Sequence, residues 1–461
     1  MMRKNWEGKA VLILGAARQG LALAEFLATR GAIVTLNDNR AQEKLPTEIA
    51  SLKHLSINWV LGSHPLEILD KQTLICVSGG VPLDLPILKE ARKRGISISN
   101  DSQIFLESIP AKTIGITGSA GKTTTTTLLG CMAKHAKAEK TWIGGNIGNP
   151  LILQAEAIAA DDLVILELSS FQLELITKSP QIAAVLNITP NHLDRHGTLA
   201  CYSSAKQRIL DYQSAQDIAV LNREDVGSWA LKDIVKGNVI SFGVAKPKTN
   251  DWTGTYIDQG MIYYHTPKED VPIIATQEIH LRGEHNLMNV SSAIAIAMAA
   301  DIPLESIQSG ITGFSGVAHR LEFVREWKGA SWYNDSIATA PERTMAAINA
   351  FDEPLVLLLG GRDKKLPWDI LAREIHQRVD HVITFGEASN LIIDAIGKTN
   401  PQERPYSVDQ CQDLFEAVQI AAKRSENGDV VLLSPGGTSY DAYKDFEERG
   451  EWFRKWVKEL S

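Results

Sequence analysis

At 461 residues, with 44% hydrophobic and 22% charged side chains, the chain has material for about three globular domains and is too apolar for wholesale disorder. Its net charge of −8 excludes a broad nucleic-acid-binding face. Four scattered cysteines (Cys76, Cys131, Cys201, Cys411) exclude a disulfide framework or a zinc module and point to a reducing, cytoplasmic setting.

The first predicted element lies in "MMRKNWEGKAVLILGAARQG". Basic residues precede its apolar run, but the run is too short for an export signal and meets Arg18 at once, so it reads as a β-strand. A Gly15-x-x-x-x-Gly20 turn, a helix, a second strand and Asp38 follow. This is a dinucleotide-binding pattern with Ala17 at the middle glycine position, where backbone normally approaches a pyrophosphate. The substitution weakens NAD(P) and leaves a nucleotide diphosphate open.

Further runs of the same kind follow in order: "AIVTLND", "TLICVSGG", "TIGITG", "LVILELSS", "AAVLNIT", "PLVLLLGG", "HVITFG" and "DVVLLSPGG". Alternating with helical patterns, they predict α/β architecture with parallel sheets covered on both faces. Chemistry in such sheets gathers at the carboxyl ends of the strands. Three domains are expected: residues 1–103, an α/β unit; 104–316, which holds a lysine-bearing loop in a long α/β core; and 317–461, a third unit. Within the second, "TNDWTGTYIDQGMIYYHTPKED" predicts a small antiparallel sheet. No run approaches the ~20 apolar residues of a membrane-spanning helix.

The middle third carries the most specific motif. In "TIGITGSAGKTTTTTLLG" a strand feeds Gly118-Ser119-Ala120-Gly121 and then a helix opening on Lys122, Thr123 and Thr124. Backbone N–H groups and the helix N-terminus suit a phosphate chain, Lys122 the β- and γ-phosphates, and the Thr123 hydroxyl a magnesium ion. Ile116 stands where the longer P-loop form has glycine. A P-loop also needs a carboxylate on a neighbouring strand, and Glu167, ending "DLVILE", supplies it at a depth where it must be paired or metal-bound. His192 follows the next strand, among Asn191, Asp194, Arg195 and His196. Lys206 shares a helix face with Tyr202 and Ile209; it either snorkels to water or, if desolvated, has a lowered pKa and a neutral, reactive amine. In the last third Asp335, Lys364 and Ser439 each follow a predicted strand.

Taken together, "TGSAGKTT", "GGNIGNPL", "ELSSFQLE", "LNITPNHLDRH", "YSSAKQRI", "GEHNLMN", "HRLE", "YNDSIAT", "LLLGG" and "LLSPGGTSYDAYKDFEERG" resemble the Mur ligase family across nearly the whole chain. The resemblance implies a Rossmann-like UDP-binding domain over 1–103, a central P-loop ATPase domain over 104–316 and a Rossmann-like amino-acid-binding domain over 317–461, in a ligase of cytoplasmic peptidoglycan precursor synthesis. It would spend ATP to join D-glutamate to UDP-N-acetylmuramoyl-L-alanine through an acyl phosphate, with Mg²⁺ at two sites. It implies a catalytic set of Lys122, Asn146, Glu167, His192 and Lys206, with Thr123, Glu167, His192 and a CO₂-derived carbamate on Lys206 around the metals. ATP would meet residues 118–124, His285, Asn286, Asn289, Arg320 and Asp335. UDP would meet Ala16, Ala17, Arg18, Asp38, Arg40, Ser78 and Gly80, and the muramoyl-alanine end Ser169 and Gln172. D-Glutamate would meet Thr339, Lys364, Ser439, Tyr440 and Phe446.

Two positions depart from the family pattern. Ala120 stands for asparagine, and Ile337 stands for lysine in "NDSIAT". The second removes a cation from the amino-acid site, and Arg343 is the expected substitute. The Asp-Asn-Pro-Arg motif of members that add a diamino acid is absent from the sequence. A related ligase for L-glutamate is the nearest rival. A P-loop kinase would explain residues 104–210 and leave the outer thirds idle. No nucleic-acid or membrane partner is expected, and the chain reads as a monomer.

Overall fold

Every apolar run quoted above forms a strand. Runs buried on both faces suit parallel sheets covered by helices, and β-branched residues pack well on a pleated surface. The computed structural model describes residues 5–136, 140–400 and 402–461, apart from the side chain of Asp194. It divides into two units. One runs to Ile279 and resumes at His285–Gly313; the other comprises His280–Glu284 and Phe314–Ser461.

The first unit holds two sheets. Strands β1 (Ala10–Leu14), β2 (Ile33–Asp38), β3 (Ile57–Leu61), β4 (Leu74–Val77) and β5 (Ser97–Ser99) make a parallel sheet in the order β3-β2-β1-β4-β5. The helix Arg18–Ala28 leaves β1 through the glycine turn. A Cβ on Gly20 would fall 1.9 Å from the carbonyl oxygen of Gly15, so no larger residue fits that turn.

The second sheet has nine strands: β6 (Lys112–Thr117), β7 (Thr141–Gly145), β8 (Leu163–Glu167), β9 (Ile182–Val185), β10 (Ile218–Asn222), β11 (Asn238–Phe242), β12 (Gly254–Asp258), β13 (Met261–His265) and β14 (Asp270–Ala275). Their order is β14-β13-β12-β11-β10-β9-β6-β8-β7. The strands β12, β13 and β14 are antiparallel, as their alternating polar pattern predicts. They are not a separate small sheet, however: the Ser241–Gly254 pairing joins β12 to β11 and makes them the edge of the main one. The seven strands β6 to β12 run parallel, and β6 to β11 aim their carboxyl ends at the rim that carries the phosphate loop.

In the second unit β15 (Glu322–Trp327), β16 (Ala330–Asn334), β17 (Leu355–Gly360), β18 (His381–Phe385), β19 (Ser407–Gln410) and β20 (Val430–Gly436) form a sheet ordered β15-β16-β20-β17-β18-β19. Separate apolar clusters cover its two faces. The short segment His280–Glu284 belongs to this unit, where Arg282 donates to Tyr333 Oη at 2.8 Å and pairs with Glu353. Among the described residues no helix is long and apolar enough to cross a membrane.

Candidate functional site

The rim of the nine-stranded sheet begins at the loop 118–121. Strand β6 delivers this loop to the helix Lys122–His135 through Gly121, whose φ of 81° is left-handed. A Cβ there would lie 2.3 Å from Asn289 Oδ1, so the loop backbone rests directly on that side chain. The segment leaving β9 holds the loop's other side. Ser119 N donates to Asn187 O (3.0 Å) and Ala120 N to Asn187 Oδ1 (2.8 Å). Those two N–H groups are thereby committed within the protein. The N–H groups with the geometry for an anion are those of the first turn of the helix, which precede the first intrahelical bond, Thr125 N to Gly121 O. Ser119 Oγ donates to Thr189 O (2.9 Å) and accepts from Tyr202 Oη (3.1 Å), while Lys122 Nζ donates to Gly118 O (2.8 Å).

Strand β8 lies against β6 with Glu167 opposite Ile116. The Glu167 carboxylate is 1% exposed; Oε2 accepts from Thr123 Oγ1 (2.8 Å) and Oε1 from Asn146 Nδ2 (2.9 Å). Three residues expected at the centre of the site are thus in direct contact. The threonine hydroxyl and the carboxylate form an oxygen donor pair of the kind magnesium takes alongside substrate phosphates. Among the described residues no three His, Cys, Asp or Glu side chains gather into a metal cluster. A phosphate-bound Mg²⁺ does not need one.

Lys206 lies on the helix Leu199–Asp211 and is 1% exposed. Its Nζ donates to Gly118 O (2.9 Å) and Thr117 Oγ1 (3.3 Å) and lies 4.6 Å from the centre of the Tyr202 ring. Burial foremost, with help from the Lys122 charge and against Glu167, brings its pKa down to about 7. The desolvated alternative is the one realised, and the neutral amine that carbamylation requires is available near neutral pH.

His192 caps the four-residue helix Leu193–His196 in a left-handed conformation (φ 51°) and is exposed, its ring edge-on to Phe171 at 5.2 Å. Ser169 and Gln172 form a capping box at the start of the helix Ser170–Leu173, and Gln172 O accepts from Asn100 Nδ2 (2.6 Å). On the helix Glu284–Ala299, Asn289 Nδ2 donates to Asn286 Oδ1 (2.9 Å), and His285 lies in the opening turn.

The rim of the five-stranded sheet gathers most of the expected UDP residues. Asp38 ends β2; its Oδ2 accepts from Ala16 N (2.7 Å), and Arg40 Nε donates to Oδ1 (3.0 Å). Burial raises the Asp38 pKa, but the bonds from the Arg40 side chain and from the Ala16 and Arg40 N–H groups outweigh it and hold the group at about 2. Arg40 also donates to Ala16 O (3.1 Å). Ala17 and Arg18 open the first helix, and Ser78 Oγ donates to Gly15 O (3.1 Å). Gly80 O accepts from Arg195 Nη1 (3.1 Å).

In the second unit Asp335, just past β16, is buried and committed to its own domain: Oδ2 accepts from Ser434 Oγ (2.9 Å) and Oδ1 from Leu321 N (3.2 Å). Burial pushes its pKa up to about 7. Arg320 is exposed. Thr339 Oγ1 accepts from Lys364 Nζ (3.0 Å), and Arg343 Nη1 reaches Ile337 O (3.3 Å), so both cations flank residues 337–339. Ser439 is buried, Tyr440 is 63% exposed, and the Phe446 ring is edge-on to His319.

Three contributors escaped sequence reading. Asn187 braces the loop from within "LNIT", where an asparagine at a strand end signals nothing by itself. Arg449 is fully buried and donates through Nε to Ser336 Oγ (3.0 Å), through Nη2 to Ser336 O (2.9 Å) and through Nη1 to Gly437 O (3.2 Å). It ties together the two loops that carry Thr339 and Ser439, yet in "FEERG" it looks like any surface arginine. His196 was visible as one polar residue among several in "NHLDRH", and its burial was not.

Three family models match in chain order: the Mur ligase MurD-like N-terminal domain over residues 9–100, the Mur ligase middle domain over 116–297, and the Mur ligase glutamate ligase domain over 319–437. The chain is 40% identical over 453 residues to UDP-N-acetylmuramoylalanine–D-glutamate ligase of Symbiobacterium thermophilum, covering 97% of this chain and 98% of that one. To the enzyme of the same name from Koribacter versatilis it is 37% identical over 455 residues, 98% of each chain. A crystal structure of MurF from Acinetobacter baumannii shares the fold at 18% identity and a TM-score of 0.56, over all of this chain and 93% of the other. The chain belongs to the Mur ligase family.

Proposed function

We propose that this protein joins D-glutamate to UDP-N-acetylmuramoyl-L-alanine at the expense of ATP, as the names of its relatives describe for them. The observation that carries the reading is the bonded set Thr123–Glu167–Asn146 at the mouth of the phosphate loop, with the desolvated Lys206 behind it. We propose the division 1–103, 104–316 and 317–461 for UDP, ATP and amino-acid binding. A monomer working in the cytoplasm fits this role.

The chemistry begins with phosphoryl transfer from ATP to the terminal alanyl carboxylate. A carboxylate about 3.5 Å from a γ-phosphate oxygen is repelled by roughly 5 kcal/mol at an effective dielectric near 20. Lys122, released from Gly118 O, offsets this charge, and Arg320 adds a second cation. Thr123 and Glu167 would hold one Mg²⁺, and His192 with carbamylated Lys206 a second; bound there, the metals would neutralise and align phosphate oxygens. The glutamate amine attacks the acyl phosphate, the tetrahedral intermediate loses phosphate, and the amide forms. Thr339, Lys364, Arg343, Ser439, Tyr440 and Phe446 would receive the amino acid, with the two cations facing its two carboxylates.

The test is phosphate release from ATP with UDP-N-acetylmuramoyl-L-alanine, Mg²⁺ and one amino acid at a time. Release with D-glutamate, together with a new amide product, is expected. Equal release with L-glutamate, or release with no amino acid present, counts against the assignment.

A further inference from the structure

One buried histidine near the phosphate loop is engaged at both ring nitrogens and on its ring faces. His196 ends the helix Leu193–His196, and its side chain is 2% exposed. Its Nε2 lies 2.9 Å from Ser170 Oγ and its Nδ1 3.2 Å from Glu174 Oε1. Of these two contacts only the one at Nε2 is a hydrogen bond; with Nδ1–H facing the carboxylate at ion-pair distance, Nε2 accepts the serine hydroxyl proton. The ring stacks on Phe171 (5.2 Å, interplanar angle 1°) and meets Tyr202 edge-on at 5.2 Å.

These partners come from separate pieces of the site. Ser170, Phe171 and Glu174 lie in or beside the four-residue helix capped by Ser169. Tyr202 shares its helix with Lys206 and bonds Ser119 of the phosphate loop. The Phe171 ring also faces His192 and, at 5.2 Å, the Arg195 guanidinium, which bonds Gly80 O. Helices of four residues have almost no intrahelical hydrogen bonding to keep them in place. Here Ser169 and Gln172 spend their polar groups on each other. Side chains from outside fix the helix: Asn100 bonds Gln172 O, and His196 supplies one hydrogen bond, a contact with the Glu174 carboxylate and a ring stack at once.

We propose that His196 is a positioning residue for the ligase reaction, setting the spacing between the Ser169–Gln172 turn, His192 and the Lys206 helix. The inference rests on the ligase reading above. It acts through geometry: a reacting group displaced by about 1 Å loses on the order of 10²-fold in rate, with binding little changed.

The experiment is steady-state kinetics on the full-length chain. His196→Phe keeps a ring for the stack and removes the bond to Ser170 and the contact with Glu174, while Glu174→Gln keeps an oxygen facing Nδ1–H. For His196→Phe, kcat is expected to fall on the order of 10²-fold while KM for ATP and for D-glutamate stays near the parent values. Glu174→Gln should retain most of the parent kcat. Parent-like kcat in His196→Phe, or an equal loss in Glu174→Gln, overturns the inference. If His196→Phe does not fold, Ser170→Ala replaces it, and parent-like kcat there overturns the inference too. A parent chain that forms no amide defeats the ligase reading itself, which keeps the two failures apart.

Discussion

A lysine that is 1% exposed and bonded to a carbonyl and a hydroxyl carries a charge that nothing adjacent fully balances. Lowering the Lys206 pKa to about 7 is the response the structure shows, and reaction with CO₂ is the response proposed. Protein exchanged into ¹³C-bicarbonate at pH 8 should show a carbamate carbon signal that is absent in Lys206→Met. That signal should fade as pH drops through 7, because the ammonium form cannot react. Lys206→Met should also lose at least about 10²-fold in kcat, the scale of a lost electrostatic group in a preorganised site. Asp38 offers the opposite titration. Its folded pKa of about 2 lies below the ordinary 3.8, so its stabilising contribution is complete above 3.8 and is lost as pH falls towards 2. Arg40→Ala removes the main opposing bond and should move acid unfolding, followed by circular dichroism, to higher pH. Arg343 has the clearest bearing on substrate choice. With Ile337 where the family pattern has a cation, Arg343→Ala should raise KM for D-glutamate several-fold, roughly one exposed charge-assisted bond, and leave KM for ATP alone. An unchanged KM for D-glutamate would remove Arg343 from the site.

At the scale of elements, the glycine turn after β1 is a tight local constraint. Gly20→Ala places a methyl carbon inside van der Waals contact of a backbone oxygen, and should destabilise the first unit by about 2 kcal/mol or more, read as a lower Tm. Such turns, the strand cores and the phosphate loop were legible because local rules dictate them: apolar runs of strand length, glycine where backbone approaches backbone, and lysine and threonine at a helix start. The carboxylate of Glu167 was legible for the same reason, since a charge ending an apolar strand must have a partner. Pairings distant in sequence were not. The bridge from Ser241 to Gly254 that fuses the antiparallel strands to the main sheet follows an irregular connection with no pattern of its own. Asn187 spends its groups on the phosphate loop 67 residues away, and Arg449 bonds Ser336 across 113. Contacts of that range come from the assembled sheet, and no window of sequence contains both partners.

At the scale of the whole molecule, the chain crosses between its two units near residues 279, 284 and 313. A gene cut at residue 316 would therefore sever more than a linker. The excised fragment 317–461 would leave Tyr333 and Glu353 without the guanidinium that reaches both, because Arg282 stays behind on the other piece. A fragment beginning at residue 280 should melt several degrees higher than one beginning at 317, checked by differential scanning fluorimetry of the two side by side. The short strap thus acts as a clasp threaded back from an earlier stretch of chain. Residues 280–284 are made before the last third of the chain, so refolding of that third, followed by amide-hydrogen protection of β16, should slow in Arg282→Ala.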